Sequence, residues 1–150
     1  MAMTVTQTVS ASGVIGIGYQ GWDINGFVAE LQGLGVSTLV DVRLTPISRK
    51  RGFSKTALSL AVGAAGIAYE HYRQLGNPKT NRAGFAGTPA ELAAARGTYA
   101  SILHEPVAAD CLSDLAESAR HERIALLCFE ADQAHCHRDV VLHELSRRMN

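Results

Sequence analysis

The stretch Arg123-Ile-Ala-Leu-Leu-Cys-Phe129 decides the fold class, because it is the clearest strand signal in the chain. Its apolar run is short and unbroken, which is typical of a strand buried on both faces of a parallel sheet. A polar loop follows, and apolar residues at helical spacing then predict a helix from about His137 to Arg148. A strand, a loop and a helix therefore follow one another at this end of the chain.

Strands and helices alternate over the rest of the chain as well. Apolar or β-branched runs bounded by glycine or proline predict strands at residues 14–18, 37–43 and 66–72. Helical spacing and capping signals, including the capping box Thr88-Pro89-Ala90-Glu91, predict helices at residues 24–34, 55–64, 89–103 and 106–120. This alternation predicts an α/β fold, a single three-layer domain with a mostly parallel, Rossmann-like sheet.

Length and composition fit one globular domain, since 47% of the 150 residues are hydrophobic and 19% are charged. We expect residues 13–150 to form this domain and residues 1–12, which are rich in Thr, Ser and Ala, to form a flexible tail. The odd number of cysteines and the lack of signal-peptide features predict reduced thiols and a cytoplasmic protein. No apolar run reaches the ~20 residues of a membrane-spanning helix, so no membrane association is expected. The oligomeric state is left open.

The net charge is zero, but the basic residues are unevenly distributed. Between residues 43 and 82 a single acidic residue, Glu70, accompanies Arg43, Arg49, Lys50, Arg51, Lys55, Arg73, Lys79 and Arg82. Such a segment either attracts an anionic partner or forms a solvated basic face.

Open parallel sheets bind ligands at the carboxyl ends of their strands, where residues 16–21, 41–50 and 128–138 are expected. In the last of these segments Cys136 lies at the start of the helix predicted from about His137, and a helix N-terminus lowers the pKa of a thiol and favours bound anions. His137 adds a titratable group and Arg138 a forked cation. Glu130 supplies an acid, a base or an orienting partner.

Two other interpretations apply to the same segment. In a structural role, Arg138 would pair with Glu130 to lock the loop while the cysteines pack in the core. A metal site would need suitable spacing, but neither C-x-x-C nor H-x-x-x-H occurs among the possible donors, which are Cys128, His135, Cys136 and His137. We therefore predict no metal site, and the cofactor is left open.

The Asp41-Val42-Arg43 stretch places an acid and a base on the same face of a strand end, because residues two apart in a strand point the same way. The two side chains could form a salt bridge and nothing more. Alternatively, Arg43 could grip a phosphate or carboxylate together with the loop residues Ser48, Arg49 and Lys50. Asp41 would then orient a water molecule or a hydroxyl group.

The turn after the first predicted strand, Gly16-Ile-Gly-Tyr-Gln-Gly21, matches the G-x-G-x-x-G pattern of dinucleotide-binding domains. Gly18 and Tyr19 are its candidate ligand contacts. However, Asp23 is the predicted N-cap of the next helix, so Gly21 precedes the helix, whereas the third glycine of the pattern lies inside its opening turn. Dinucleotide binding therefore stays an alternative.

An ordered series of motifs spans the chain from about Val14 onward: Ile15-Gly-Ile-Gly-Tyr19, Leu39-Val-Asp-Val-Arg43, Phe53-Ser-Lys55, Gly66-Ile-Ala-Tyr69, Leu127-Cys-Phe-Glu130 and Cys136-His-Arg138. This series resembles the domain-of-unknown-function-488 family. The resemblance implies a compact α/β fold and no assigned reaction. It also weighs against the dinucleotide alternative, because the family's first turn resembles Gly-His-Ser or Gly-Tyr-Ser and does not depend on a third glycine.

Position and charge together predict a protein that binds or processes an anionic ligand, which may be nucleotide-like, phosphorylated or a nucleic acid. The candidate catalytic residues are Asp41, Glu130, Cys136 and His137, and the candidate ligand-binding residues are Gly18, Tyr19, Arg43, Ser48, Arg49, Lys50 and Arg138. One rival is a non-catalytic module that docks a nucleic acid or a protein. Another is a thiol or sulfur-transfer enzyme, which requires a reactive Cys136. Whether the chain is an enzyme is left open.

Overall fold

The computed structural model describes residues 13–149, so the tail predicted at residues 1–12 lies outside the described part. The described strands form one parallel sheet, with β1 at Val14–Gly18, β2 at Thr38–Asp41, β3 at Ala68–His71 and β4 at Ile124–Cys128. Their spatial order is β1-β4-β2-β3. The predicted α/β class and the parallel sheet are confirmed.

Five α-helices occur within residues 13–149: α1 at Ile24–Gly33, α2 at Lys55–Ala64, α3 at Pro89–Leu103, α4 at Pro106–Ala119 and α5 at Arg138–Met149. Short 3-10 helices lie at Arg73–Leu75, Lys79–Asn81, Ala83–Ala86 and Gln133–His135. Two of the predicted caps are present, since Asp23 accepts a hydrogen bond from the Gly26 amide and the Thr88–Glu91 capping box is complete, whereas Ser54 before α2 makes no side-chain capping hydrogen bond. None of the helices in this part of the chain is long and apolar enough to cross a bilayer.

Helices cover both faces of the sheet, because successive strand residues point to opposite sides. On one face, Val40 of β2 belongs to a core that also contains apolar residues of α3, α4 and α5. On the other face, Leu39 belongs to a second core with residues of α1 and α2. The predicted arrangement in three layers follows from these two cores.

The Rossmann-like part of the prediction is not confirmed. In the Rossmann order 3-2-1-4-5-6 the first two strands are neighbours, whereas here β4 lies between β1 and β2. The helices that follow β1 and β2, which are α1 and α2, pack on one face of the sheet. The helix that follows β4, which is α5, packs on the opposite face. A change of side between neighbouring strands opens a crevice at their carboxyl ends.

Two glycines of the G-x-G-x-x-G pattern make room for the chain's own loop. A Cβ atom on Gly18 would lie 1.8 Å from the Glu130 carbonyl oxygen, and one on Gly16 would lie 2.1 Å from Oε1 of Gln133. Gly21 has φ +88 in the turn before Asp23, the N-cap of α1, so it is not part of the helix. This geometry accounts for the glycines without a ligand and does not support the dinucleotide alternative.

We expect Gly18→Ala to lower the free energy of unfolding by about 2–4 kcal/mol, because the new methyl group meets backbone that cannot rotate away. Urea denaturation measures the change. The control is Gly97→Ala, at an exposed position of α3 where a Cβ atom has no neighbour within 4 Å. That substitution should raise stability by about 0.5–1 kcal/mol. Equal stability of the two variants would contradict the packing described for Gly18.

Candidate functional site

Three strand ends meet around one cavity of about 180 Å³. The parallel register places Gly18 beside Cys128 and Asp41 beside Leu127, so the segments that follow β1, β2 and β4 begin at the same edge of the sheet. The loop after β3 forms another side of the cavity. The cavity is lined by Tyr19, Arg43, Leu44, Thr45, Ile47, Asn77, Arg82, Phe85, Cys128, Phe129, Glu130, His135, Cys136 and His137.

His137 is held in one orientation at the wall of this cavity. Its Nε2 lies 2.8 Å from the Val42 carbonyl oxygen, which can only accept, so Nε2 donates the hydrogen bond. In the neutral imidazole Nδ1 therefore carries the lone pair, and it lies 3.7 Å from Cys128 Sγ and 3.8 Å from Cys136 Sγ. The ring also packs edge-on against Tyr99. The imidazole thus presents Nδ1 to both thiols.

The two thiols differ in acidity although both are buried. Burial alone would raise the pKa of Cys136, but the hydrogen bond from Cys128, the hydrogen bond and charge of His137 in its imidazolium form, and the charge of Arg138 outweigh burial, so the pKa falls well below that of a free thiol. The pKa of Cys128 is raised by its hydrogen bond to Cys136, by burial and by the charges of Cys136 and Glu130. Cys136 is therefore the more acidic thiol of the pair, and Cys128 holds its proton more tightly.

Glu130 stands at the wall of the cavity, next to the thiols. Its Oε1 accepts a long hydrogen bond of 3.7 Å from the Cys128 Sγ. Burial raises the pKa of this carboxyl group, and the charge of Cys136 raises it further. Glu130 thus retains a proton to higher pH than a solvated glutamate, a property that suits an acid or a base.

Asp41 and Arg43 form a buried, two-pronged ion pair on one face of the β2 end, as their spacing predicts. Arg43 Nε lies 2.9 Å from Oδ1 of Asp41, and NH2 lies 2.7 Å from Oδ2. NH1 of Arg43 donates to the Phe53 carbonyl oxygen, and the Tyr69 hydroxyl donates to Asp41. Burial opposes the charge of Arg43, but the hydrogen bonds and charge of Asp41 outweigh it and raise its pKa. Arg43 therefore keeps its charge, and Asp41 lies behind Arg43 rather than in the cavity wall.

Arg138 locks the loop after β4, although not through the carboxylate of Glu130. Its NH1 donates to the Glu130 carbonyl oxygen at 2.7 Å, its NH2 lies 3.4 Å from the Ala131 carbonyl oxygen, and the side chain is 1% exposed. This arrangement resembles the structural alternative, with backbone oxygens as the partners. It also places Arg138 outside the lining of the cavity.

The other five predicted ligand contacts differ in position. Tyr19 lines the cavity and stacks on Phe53, whereas Gly18 packs against the Glu130 carbonyl. Ser48 organises its own loop, because its Oγ accepts a hydrogen bond from the Lys50 amide. Arg49 and Lys50 belong to this loop and are not among the residues that line the cavity. Their role in ligand binding stays a prediction.

Several residues of the cavity wall were not among the site residues predicted from the sequence. Asn77, Arg82 and Phe85 come from the loop and short 3-10 helices between Gly76 and Gly87. The available signal was the length of this segment, since long loops in compact domains are often functional. Cys128 was noted only as a possible core residue or metal donor, and its position at the last residue of β4 brings it to the site.

We expect Asp41→Asn to lower the free energy of unfolding by about 3–5 kcal/mol, because it leaves the buried Arg43 guanidinium without a counter-charge. Tyr69→Phe is the matched control, since it removes only the hydroxyl that donates to Asp41, and it should cost about 1–2 kcal/mol. Chemical denaturation at neutral pH measures both values. A smaller loss for Asp41→Asn than for Tyr69→Phe would show that the ion pair does not hold this edge of the sheet.

Comparison with known proteins adds a family to this geometry. A search of curated proteins and a search of solved structures gave no match. The model of one family, described as a domain of unknown function, matches residues 23–145, which include α1, the sheet strands β2 to β4 and most of α5. The match covers well over half of the chain and contains both the Asp41–Arg43 pair and the segment from Cys128 to Arg138. The chain therefore belongs to the family of the domain of unknown function DUF488.

Proposed function

We propose that the cavity at the strand ends binds a small anionic ligand and acts on it. The observation that carries this proposal is the set of hydrogen-bond donors in the wall, where the guanidinium groups of Arg43 and Arg82 and the imidazoles of His135 and His137 line the cavity beside one carboxyl group, that of Glu130. A concave site with a few convergent polar groups is also the usual form of a small-molecule site.

The size of the cavity limits the ligand. The cavity volume of about 180 Å³ is smaller than the roughly 300–1,000 Å³ of pockets that enclose drug-sized ligands. A carboxylate, a phosphate or the anionic end of a larger molecule fits such a space. The exposed side chains of Ile47 and Phe129 at the wall would then contact whatever part of the ligand extends outward.

The two guanidinium groups have different tasks in this proposal. The Arg43 guanidinium group already donates hydrogen bonds to Asp41 and to the Phe53 carbonyl oxygen. It is therefore fixed in orientation and contributes to the electrostatic potential of the cavity, but it has no free pair of N–H groups for a ligand. Arg82 reaches the cavity from the loop before α3, where its Nε donates to the Asn77 carbonyl oxygen. Because the segment from residue 43 to residue 82 is strongly basic, an anion approaching this side is attracted as well.

A ligand in this cavity would lie beside groups that can react. Glu130, Cys136 and His137 line the wall, and side chains of these types carry out proton transfer and nucleophilic attack in enzymes. Asp41 is excluded from direct contact by its place behind Arg43. Its part in the proposed reaction is to hold Arg43 in position.

An interaction module for nucleic acid is the second candidate, and the exposed Phe129 beside the basic segment favours it. Phe129 is 42% exposed and packs edge-on against Tyr19, so a base could stack on its free side. Salt separates the two candidates, because contacts to a phosphate backbone weaken steeply as salt rises, whereas a small ligand in a cavity is less affected.

We expect Arg82→Ala to weaken the binding of a small anion about 10-fold or more, because a hydrogen bond to a charged group contributes about 1.5–3 kcal/mol. Inorganic phosphate, succinate and a nucleoside monophosphate serve as probes in isothermal titration calorimetry. Lys79→Ala is the matched control, since Lys79 is an exposed cation of the same loop that does not line the cavity. The affinity of the Lys79→Ala variant for each anion should stay within about 2-fold of that of the unaltered chain, the difference expected for a screened surface charge.

Two results would contradict this proposal. The first is that none of the three probes binds, while a single-stranded oligonucleotide binds with a steep salt dependence, as the interaction module predicts. The second is that Arg82→Ala and Lys79→Ala lower the affinity for the anion equally, which would place the anion on the basic surface instead of in the cavity.

A further inference from the structure

Three donor side chains converge at the inner wall of the cavity. The Sγ atoms of Cys128 and Cys136 and a ring nitrogen of His137 all lie within 4.8 Å of one another, and all three residues are buried. Cys128 is the last residue of β4, and the other two precede the first residue of α5. A strand end and a helix start therefore fix the positions of the three donors.

The two sulfur–nitrogen distances are close to an edge of a tetrahedral metal site. With metal–sulfur distances of about 2.3 Å and metal–nitrogen distances of about 2.0–2.1 Å, a sulfur and a nitrogen ligand stand about 3.5 Å apart. Nδ1 of His137 lies 3.7 Å from Cys128 Sγ and 3.8 Å from Cys136 Sγ. An inward shift of a few tenths of an ångström would bring both sulfur–nitrogen distances to that value.

The far side of the imidazole is arranged as in metal-binding histidines. Such histidines donate their other ring N–H to a carbonyl or carboxylate, which fixes the tautomer and turns the remaining lone pair toward the metal. Here Nε2 of His137 donates to the Val42 carbonyl oxygen at 2.8 Å, and Nδ1 faces the two sulfur atoms. The hydrogen bond to Val42 thus gives the ring the orientation that a ligand requires.

We propose that Cys128, Cys136 and His137 bind one divalent metal ion with the preferences of Zn²⁺, and that its fourth coordination position faces the cavity. Two thiolates and one imidazole form a donor set that suits zinc, and three protein ligands with one open position are typical of catalytic rather than structural zinc sites. All three residues line the cavity, so a water molecule or a ligand can take the fourth position. The site does not depend on the anionic ligand proposed above, because the protein alone supplies its donors.

The three donors do not form one short motif, and the lack of such a motif is why the sequence predicted no metal site. A motif such as C-x-x-C places two donors within a few residues of each other. In the structure a loop of seven residues separates Cys128 from Cys136, and the sheet edge brings the two together. His137 follows Cys136 directly, and its side chain turns back toward both sulfur atoms.

The experiment uses the full chain, whose metal content is measured as purified and after removal of metal with a chelator. Co²⁺ is then added, because a thiolate–Co²⁺ site shows charge-transfer absorption in the near ultraviolet and tetrahedral Co²⁺ absorbs strongly in the visible range. We expect saturation at about one equivalent and displacement of Co²⁺ by Zn²⁺. In Cys128→Ser, Cys136→Ser and His137→Ala, affinity should fall about 100-fold or more, since changes to outer-shell partners alone cost 10–100-fold. Cys111→Ser, which alters a cysteine outside the cluster, should bind as the unaltered chain does.

A second measurement on the unaltered chain does not depend on the folding of any variant. Zn²⁺ should slow the alkylation of Cys128 and Cys136, assigned by mass spectrometry, and leave the rate at Cys111 unchanged. The proposal would be overturned if Co²⁺ gave no charge-transfer absorption and Zn²⁺ left the alkylation rates of Cys128 and Cys136 unchanged. That result would favour free thiol chemistry at Cys136. Charge-transfer absorption of undiminished intensity, with unchanged Co²⁺ affinity, in both Cys128→Ser and Cys136→Ser would overturn it too, by placing the metal elsewhere.

Discussion

The ion pair between Asp41 and Arg43 joins more elements of this protein than any other polar contact described above. Arg43 reaches Tyr19 after β1 and Phe53 before α2, while Asp41 accepts the hydroxyl hydrogen of Tyr69 in β3. Burying two charges is expensive, and the cost is offset only when each remaining donor and acceptor finds a partner. The strand ends, the loop before α2 and the edge strand must therefore be in place together for the pair to be stable.

The residue between the two charges connects this pair to the thiols. Asp41 and Arg43 point to one face of the sheet, whereas Val42 packs in the core on the other face. The Val42 carbonyl oxygen holds Nε2 of His137, and the Arg43 carbonyl oxygen accepts a hydrogen bond from His71. Three consecutive residues of β2 and its extension thus position a guanidinium group and an imidazole at the same edge.

Local patterns predicted the elements well, because each element has its own signal in the sequence. The capping box at Thr88 and the apolar run of β4 are examples, and both were found where they were expected. The order of the strands has no such signal, since it depends on which strands pair. The cavity wall follows from that order, so the contribution of Arg82 and the meeting of Cys128 with His137 could not be predicted from spacing.

The central place of β4 has a consequence for how the molecule is made. β1, β2 and β3 emerge from the ribosome first, but β4 hydrogen-bonds between β1 and β2 and is translated more than fifty residues after β3. The sheet therefore remains split until residues 124–128 have been synthesised, and pairings over so large a sequence separation close slowly. Because Cys128, Cys136 and His137 all follow from this strand onward, a nascent chain that has not reached residue 137 cannot assemble the thiol and imidazole cluster.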